Sequence, residues 1–315
     1  MASSLCRNLR NKNLSIGKLV FDWVIVMWLL ALLIGLLSGI VIGLVTVGGS
    51  IIVTSMLMLM SAVFHLQLNM KQIVTTTAFY TLFTTISGAI YFWIQRLVVH
   101  KIVLYFGIPA LLSSMISSLL ANSLNNQVLQ GIFAFFSLLA AVAIILPSSN
   151  KDLRTDMEFP YVISIILSII IGTVGGMIGV AAGFLYMPIF LRLFRLSVKQ
   201  AIGTGMFVGG MLCVGTILGK LSWDYIRIEV IVPLSISGII GVLIGGKLTT
   251  IISEKWLNLL MCLIIAAIAV QTHIVFLADS LMVPLPVIIT VSLIMSATFT
   301  WLIFKYNPIR ERTGA

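Results

Sequence analysis

The chain has 315 residues, of which 60% are hydrophobic and only 9% charged, with a formal charge of +10. Soluble domains carry about 25% charged residues, so this composition argues against a soluble enzyme, a disordered regulator and a secreted disulfide scaffold. It fits an all-α, polytopic membrane protein with room for about eight or nine helical spans at roughly 20 residues each.

Taken in order, the charges mark the edges of the spans. Residues 1–18 form a basic tail (Arg7, Arg10, Lys12, Lys18) ahead of an apolar run too long for a cleaved signal peptide, so a retained first span is predicted. A first transmembrane unit covers 19–147: Asp22 to Lys71 encloses 48 uncharged residues, Lys71 to Arg96 encloses 24, and Lys101 to Lys151 encloses 49, split by the polar run Asn122–Gln127. A polar linker follows at 148–160. A second unit covers 161–276, with uncharged intervals of 33 residues (Glu158 to Arg192), 20 (Lys199 to Lys220), 17 (Glu229 to Lys247) and 23 (Lys255 to Asp279). A further helix at 277–304 and a basic tail at 305–315 complete the chain. The runs are continuously apolar, as in helices, and not alternating, as in barrel strands.

Two intervals are too long for one helix. As a single helix, the 33 residues after Glu158 would reach about 50 Å across a ~30 Å hydrocarbon core. Both have glycine clusters near their middle, which predicts a broken helix or helical hairpin in each unit.

The clusters belong to an internal repeat. Gly39-Ile-Val-Ile-Gly43 with Thr46-Val-Gly48-Gly49-Ser50 lies over Gly172-Thr-Val-Gly-Gly176 with Gly179-Val-Ala181-Ala182-Gly183. Lys71-Gln72-Ile-Val-Thr75-Thr76-Thr77 lies over Lys199-Gln200-Ala-Ile-Gly203-Thr204-Gly205, and Pro109 over Pro233. Glycine is common in membrane helices for close packing, but that alone does not place two ordered motifs and a proline in register.

Each half resembles the repeat of the TauE/SafE (sulfite exporter) family, whose pattern is roughly G-x-x-x-G-x-x-G-x-G-G-G-x-x-x-x-P followed by A-x-G-T. The second half carries Gly172, Gly176, Gly179, Ala181, Ala182, Gly183 and Pro188, then Ala201-Ile-Gly203-Thr204. It has alanine at 181 and 182 where the pattern prefers glycine. The first half keeps Gly48-Gly49-Ser50, has Ser55 in place of the proline and Thr75-Thr76 in place of Gly-Thr. The resemblance implies a transporter of a small anion: sulfite, a sulfonate, or a related sulfur-containing or organic anion.

The candidate site follows from what the spans lack. The nine acidic residues, the Lys and Arg residues, and His65, His100 and His273 all fall near predicted span ends or in loops. Ion-coupled carriers usually place ionisable groups at membrane depth. A charge-free centre still binds an anion if a helix is broken there, because the second half-helix presents backbone N–H groups and the positive end of its dipole. The candidate substrate-binding residues are therefore Gly48, Gly49 and Ser50 in the first half and Ala181, Ala182 and Gly183 in the second, where small side chains let an oxyanion approach the backbone. Gly203, Thr204 and Thr76 join them, with hydroxyls that donate to the anion or else bond their own helix carbonyls.

No catalytic triad, HExxH motif or paired carboxylates occur in the spans, so no enzyme activity is expected. Cys6, Cys213 and Cys262 make no CxxC, and Met56, Met58 and Met60 have no nearby His or Cys cluster, so no metal or other cofactor is expected. The basic excess is explained by topology and anionic headgroups, with no aromatic-interleaved platform for nucleic acid. The expected partners are a small anionic substrate and the lipid bilayer, in the cell (plasma or inner) membrane; a homo-oligomer is compatible with the sequence but not specified by it.

With the C-terminus cytoplasmic, loops 96–101, 148–160, 192–199 and 247–256 fall inside, with 2, 2, 3 and 2 Lys/Arg. Loops 62–72, 122–127, 220–228 and 277–282 fall outside, with 1, 0, 2 and 0. This bias follows the positive-inside rule and makes the two repeats inverted; a parallel arrangement is the alternative, with almost no bias. Three functions remain open: an alternating-access anion transporter, an uncoupled anion channel or facilitator, and a non-transporting membrane scaffold.

Overall fold

The computed structural model describes residues 27–46, 70–121, 161–178, 182–220 and 228–264, with short pieces at 49–50, 52–54, 56–57, 123, 128, 135–136 and 226. Among these residues the regular structure is helical, without strands. The helices are α1 (Met27–Val45), α2 (Met70–Ile94), α3 (His100–Ala121), α4 (Tyr161–Ile178), α5 (Gly183–Arg192), α6 (Val198–Gly219), α7 (Ile228–Ile251) and α8 (254–264). Of these, α1, α2, α3, α6 and α7 are long and apolar enough to cross a bilayer, and α4 is apolar but shorter. The chain is thus an all-α, multi-pass helical membrane protein. Both tails, the 148–160 linker and the helix expected at 277–304 lie outside the described residues.

The bundle buries small and hydroxylated side chains along its helix seams, buries large ones such as Tyr80, Phe92, Phe106 and Tyr186 in its core, and turns stripes of Leu, Ile and Val outward. Leu29, Leu33 and Leu37 form an exposed stripe on α1, as do Ile108, Leu112 and Ile116 on α3 and Val232, Ile236 and Ile240 on α7. Each stripe steps by four residues, the spacing of one helix face, and suits contact with acyl chains. Ser113, Ser114, Ser117 and Ser118 of α3 and Thr77, Thr81, Thr84 and Thr85 of α2 are buried. Thr81, Thr84 and Thr85 bond the carbonyls one turn back in their own helix.

Three glycine seams hold the helices together. On α1, a Cβ added at Gly35 would collide with Leu234 and Ser237 of α7, at Gly39 with Gly238, and at Gly43 with Val242, Gly245 and Gly246. On α4, Gly172 and Gly176 lie against Ala110, Ser113, Ser114 and Ser117 of α3. On α6, Gly215 and Gly219 lie against Leu111, Ser114, Met115 and Ser118 of α3. Lipid is as apolar as leucine, so burial drives no association here and close van der Waals packing must. Hydroxyl bonds between membrane helices average about 0.6 kcal/mol. Ser118 Oγ to the Thr216 carbonyl at 2.9 Å and Ser114 Oγ to the Leu212 carbonyl at 3.2 Å therefore orient the seams more than they bind them.

The contacts also give the helix directions. Along α1 and α7 the residue numbers rise together (35 with 234, 39 with 238, 43 with 242), as they do for α7 and α2 (238 with 84, 242 with 88, 246 with 91). These three helices run parallel. By the same reading α3, α4 and α6 run parallel to one another (110 with 172, 114 with 176; 111 with 215, 115 with 219). Between α2 and α6 the numbers run oppositely: Phe92 meets Gly203, Gly88 meets Met206, and Thr85 meets Gly210. The two sets are antiparallel. The first long helix of each half packs on the third long helix of the other, α1 on α7 and α4 on α3.

Local chemistry explains the boundaries. Ser197 caps α6: its hydroxyl accepts from the Gln200 N–H and its own N–H donates to Gln200 Oε1, a complete capping box. In α3, residues Val103–Gly107 widen into a π turn just before Pro109, which relieves the clash of a proline ring with the preceding turn.

Candidate functional site

Two left-handed residues end the first helix and begin the half-helix of the second half. Thr46 closes α1 with φ 58°, its N–H donating to the Ile42 carbonyl at 2.7 Å. Ala182 precedes α5 with φ 48° and gives no side-chain cap. A left-handed conformation costs a non-glycine residue roughly 1–2 kcal/mol, so the surrounding contacts must hold both turns.

Those contacts join the two turns to each other. A Cβ at Gly183 would collide with the Thr46 carbonyl oxygen, so the start of α5 lies directly on the end of α1. Thr46 Oγ1 donates to the Ile202 carbonyl of α6 at 3.2 Å, and its methyl lies 3.3 Å from where a Gly205 Cβ would be. Tyr186, fully buried in α5, donates its hydroxyl to the Gly205 carbonyl at 2.9 Å. Tyr186 and Phe190 of α5 and Phe194 just beyond it follow one another at 5.2 and 5.9 Å, and Phe106 of α3 meets Phe190 edge-on at 5.2 Å, which fixes the half-helix against the bundle.

In the first half the chain folds back along α1. A Cβ at Gly49 would collide with the Ile42 side chain and stand 2.9 Å from the Ser38 carbonyl. Ser38 is near the middle of α1, so the helical residues from Gly49 onward start inside the bundle. Because α1 and α2 are parallel, the chain enters α2 at the end of the bundle opposite to the one where it leaves α1. Ser50 is buried, and its carbonyl accepts from Thr54 Oγ1 at 2.9 Å; Thr54 Oγ1 in turn lies 3.2 Å from Thr77 Oγ1 of α2.

Of the residues singled out in the sequence, Ala182 and Gly183 lie at the Thr46 turn, and Gly203 and Thr204 lie between Ile202 and Gly205, the residues of α6 that Thr46 touches. Gly203 gives way to the Leu97 carbonyl, and Thr204 Oγ1 accepts from the Val99 N–H at 3.1 Å, so this threonine serves the α2–α3 connection and not its own helix. Gly49 and Ser50 lie beside α1. Gly48 and Ala181 lie outside the described residues. Thr76 is buried but apart: it precedes Phe92 by 16 residues, about 24 Å along α2, and Phe92 is the residue that meets Gly203. The antiparallel crossing of α2 and α6 sends Thr76 and Thr204 to opposite sides, so the two hydroxyls do not converge on one ligand.

Sequence reasoning missed Tyr186 and the role of Thr46. The signal for Tyr186 was available: it is the one hydroxyl in the otherwise apolar stretch Gly183–Leu191, and a buried phenol requires a partner. Among the described side chains, those of Lys, Arg, His and Glu sit at helix ends and connections: Arg96, His100 and Lys101; Arg192, Arg195 and Lys199; Lys220 and Glu229; Lys247, Glu254 and Lys255. Lys199 and Lys220 cap helix C-termini, donating to the Thr250 carbonyl at 2.8 Å and the Met177 carbonyl at 3.4 Å.

Comparison with known proteins places this arrangement. The family model described as sulfite exporter TauE/SafE matches residues 31–272. In Bacillus subtilis (strain 168), the probable membrane transporter protein YunE is 23% identical over 252 residues, covering 72% of this chain and 89% of its own. The probable membrane transporter protein YjnA of the same strain is 23% identical over 247 residues, covering 74% of this chain and 95% of its own. No solved structure matches. With the family match running across α1 to α8, the chain belongs to the TauE/SafE family of membrane transporters.

Proposed function

We propose that the protein carries a small oxyanion or organic anion (sulfite, a sulfonate or a chemically similar species) across the membrane. The anion is held by backbone N–H groups where the half-helices begin, at Gly48–Ser50 and Ala181–Gly183, with Gly203 and Thr204 beside them. The observation that carries this reading is the contact of the Thr46 turn with Gly183. It sets the start of the second half-helix on the end of α1, about one turn inside the end of the bundle that carries Arg96, Arg195 and Lys199. An anion there gains from the positive end of a half-helix without a buried cation. The opposed directions of α2 and α6, α1 and α4, and α3 and α7 support inverted repeats, the architecture in which such a site faces either side alternately.

The test is flux in proteoliposomes, preceded by a thermal-shift screen in detergent against sulfite, sulfate, an alkyl sulfonate and small carboxylates, since a ligand raises apparent stability by mass action. At least one anion should stabilise the protein and be transported, and Gly183→Leu should abolish flux. Undiminished flux in that variant removes the site.

The lack of Asp, Glu, His, Lys and Arg side chains in the described interior favours a second reading, an uncoupled facilitator. Flux driven uphill by a proton gradient eliminates it.

A further inference from the structure

Ser235 of α7 is 6% exposed, and its hydroxyl has no hydrogen-bond partner. A buried hydroxyl normally bonds a carbonyl of its own helix when nothing else is offered, as Ser237, two residues on, does with Pro233 at 3.0 Å.

The packing register shows where Ser235 faces. Val242 and Gly246 lie seven and eleven residues further along, within about 20° of the same line on the helix. Both touch α2: Val242 at Gly88 and Gly246 at Tyr91. On α2, Thr81 and Thr77 precede Gly88 by seven and eleven residues and share its face. Since α2 and α7 run parallel and advance together, Ser235 falls opposite Thr81 and Thr77. Thr77 is the hydroxyl paired with Thr54.

We infer that Ser235 and Thr77 form a second anion station, with Thr54 beside them as the resting partner of the Thr77 hydroxyl, on the far side of the α2–α6 crossing from Gly183 and Thr204. The hydrogen-bond inventory favours an anion over a cation. The Ser50 and Thr77 carbonyls each already accept one hydrogen bond, from Thr54 and Thr81, and have only one lone pair left for a cation. Ser235 has a donor to spare, and the Thr77 hydroxyl is free to turn its hydrogen from Thr54 to a ligand. The station extends the transport reading and rests on it: an anion passing from one side of the crossing to the other meets hydroxyl donors at each.

The experiment measures the half-saturating concentration of whichever anion stabilises the wild-type protein in the screen above. Ser235→Ala and Thr77→Val should each raise it about tenfold or more, the usual effect of losing one hydrogen bond to a charged ligand. Ser235→Thr should restore it. Ser237→Ala, with its hydroxyl committed to Pro233, should leave it unchanged. An unaltered value in a well-folded Ser235→Ala protein overturns the station and makes Ser235 a packing residue. A change in sodium dependence without a change in anion affinity overturns it in favour of a cation site. Failure of every anion to bind the wild type overturns the transport reading, and the station with it.

Discussion

Single atoms decide the tolerances of the candidate site. Gly183 has a backbone carbonyl, that of Thr46, where a Cβ would go, and a carbonyl cannot rotate aside as a side chain can. Gly183→Ala should therefore already reduce flux and destabilise the protein by about 1–3 kcal/mol, the usual cost of overpacking, read as a lower melting temperature in detergent. Tyr186→Phe keeps the ring and removes the donor to Gly205. The orphaned carbonyl should cost about 1–3 kcal/mol, and flux should fall with it; a melting temperature equal to wild type would show that the phenol adds nothing there. The glycine positions were legible in the sequence because their pattern recurs. The Tyr186 bond was not, because its acceptor is a backbone atom 19 residues away that no side-chain pattern reveals.

Elements are held by seams and caps, and the two respond differently. Gly39→Val would force α1 from α7 along the line where Gly39 and Gly238 meet. A large loss of folded protein is expected on size-exclusion chromatography, whereas Leu37→Val, at an exposed position on the same helix, should behave as wild type. Lys199→Met removes the ammonium from the C-terminal end of α7. A loss of about 0.3–1 kcal/mol is expected from the helix dipole and the missing donor, so the melting temperature should fall slightly while the fold persists. Lys199 and Gln200 lie in the first turn of α6. Their separate tasks, Gln200 closing the capping box of its own helix and Lys199 capping another, became visible only when Thr250 was brought alongside.

At the scale of the molecule, helix directions put the 95–99 connection, the 193–197 connection and the α7–α8 junction at one end of the bundle. The C-terminal end of α6 and the N-terminal end of α7 lie at the other. The first three are basic, so they should be cytoplasmic. With the native cysteines replaced, single cysteines at Arg96, Arg195 and Ser253 should react with an impermeant reagent from the same side, and one at Trp223 from the opposite side. Parallel repeats would divide the first three between the two sides.

The sequence by itself determined that this is a helical membrane protein, where its charged edges lie, and which two segments cannot be single straight helices. Those conclusions follow from local quantities: transfer cost, span length and glycine spacing. Only the tertiary structure decided that each first helix packs on the opposite half, that Gly49 lies back against Ser38 and Ile42 of α1, and that Thr76 and Thr204 sit on opposite sides of the α2–α6 crossing. The physical reason is that small-residue faces are interchangeable in sequence. Glycine stripes on α1, α4 and α6 announce close packing without naming a partner, and the partner is chosen by which backbones can approach along their whole length at once.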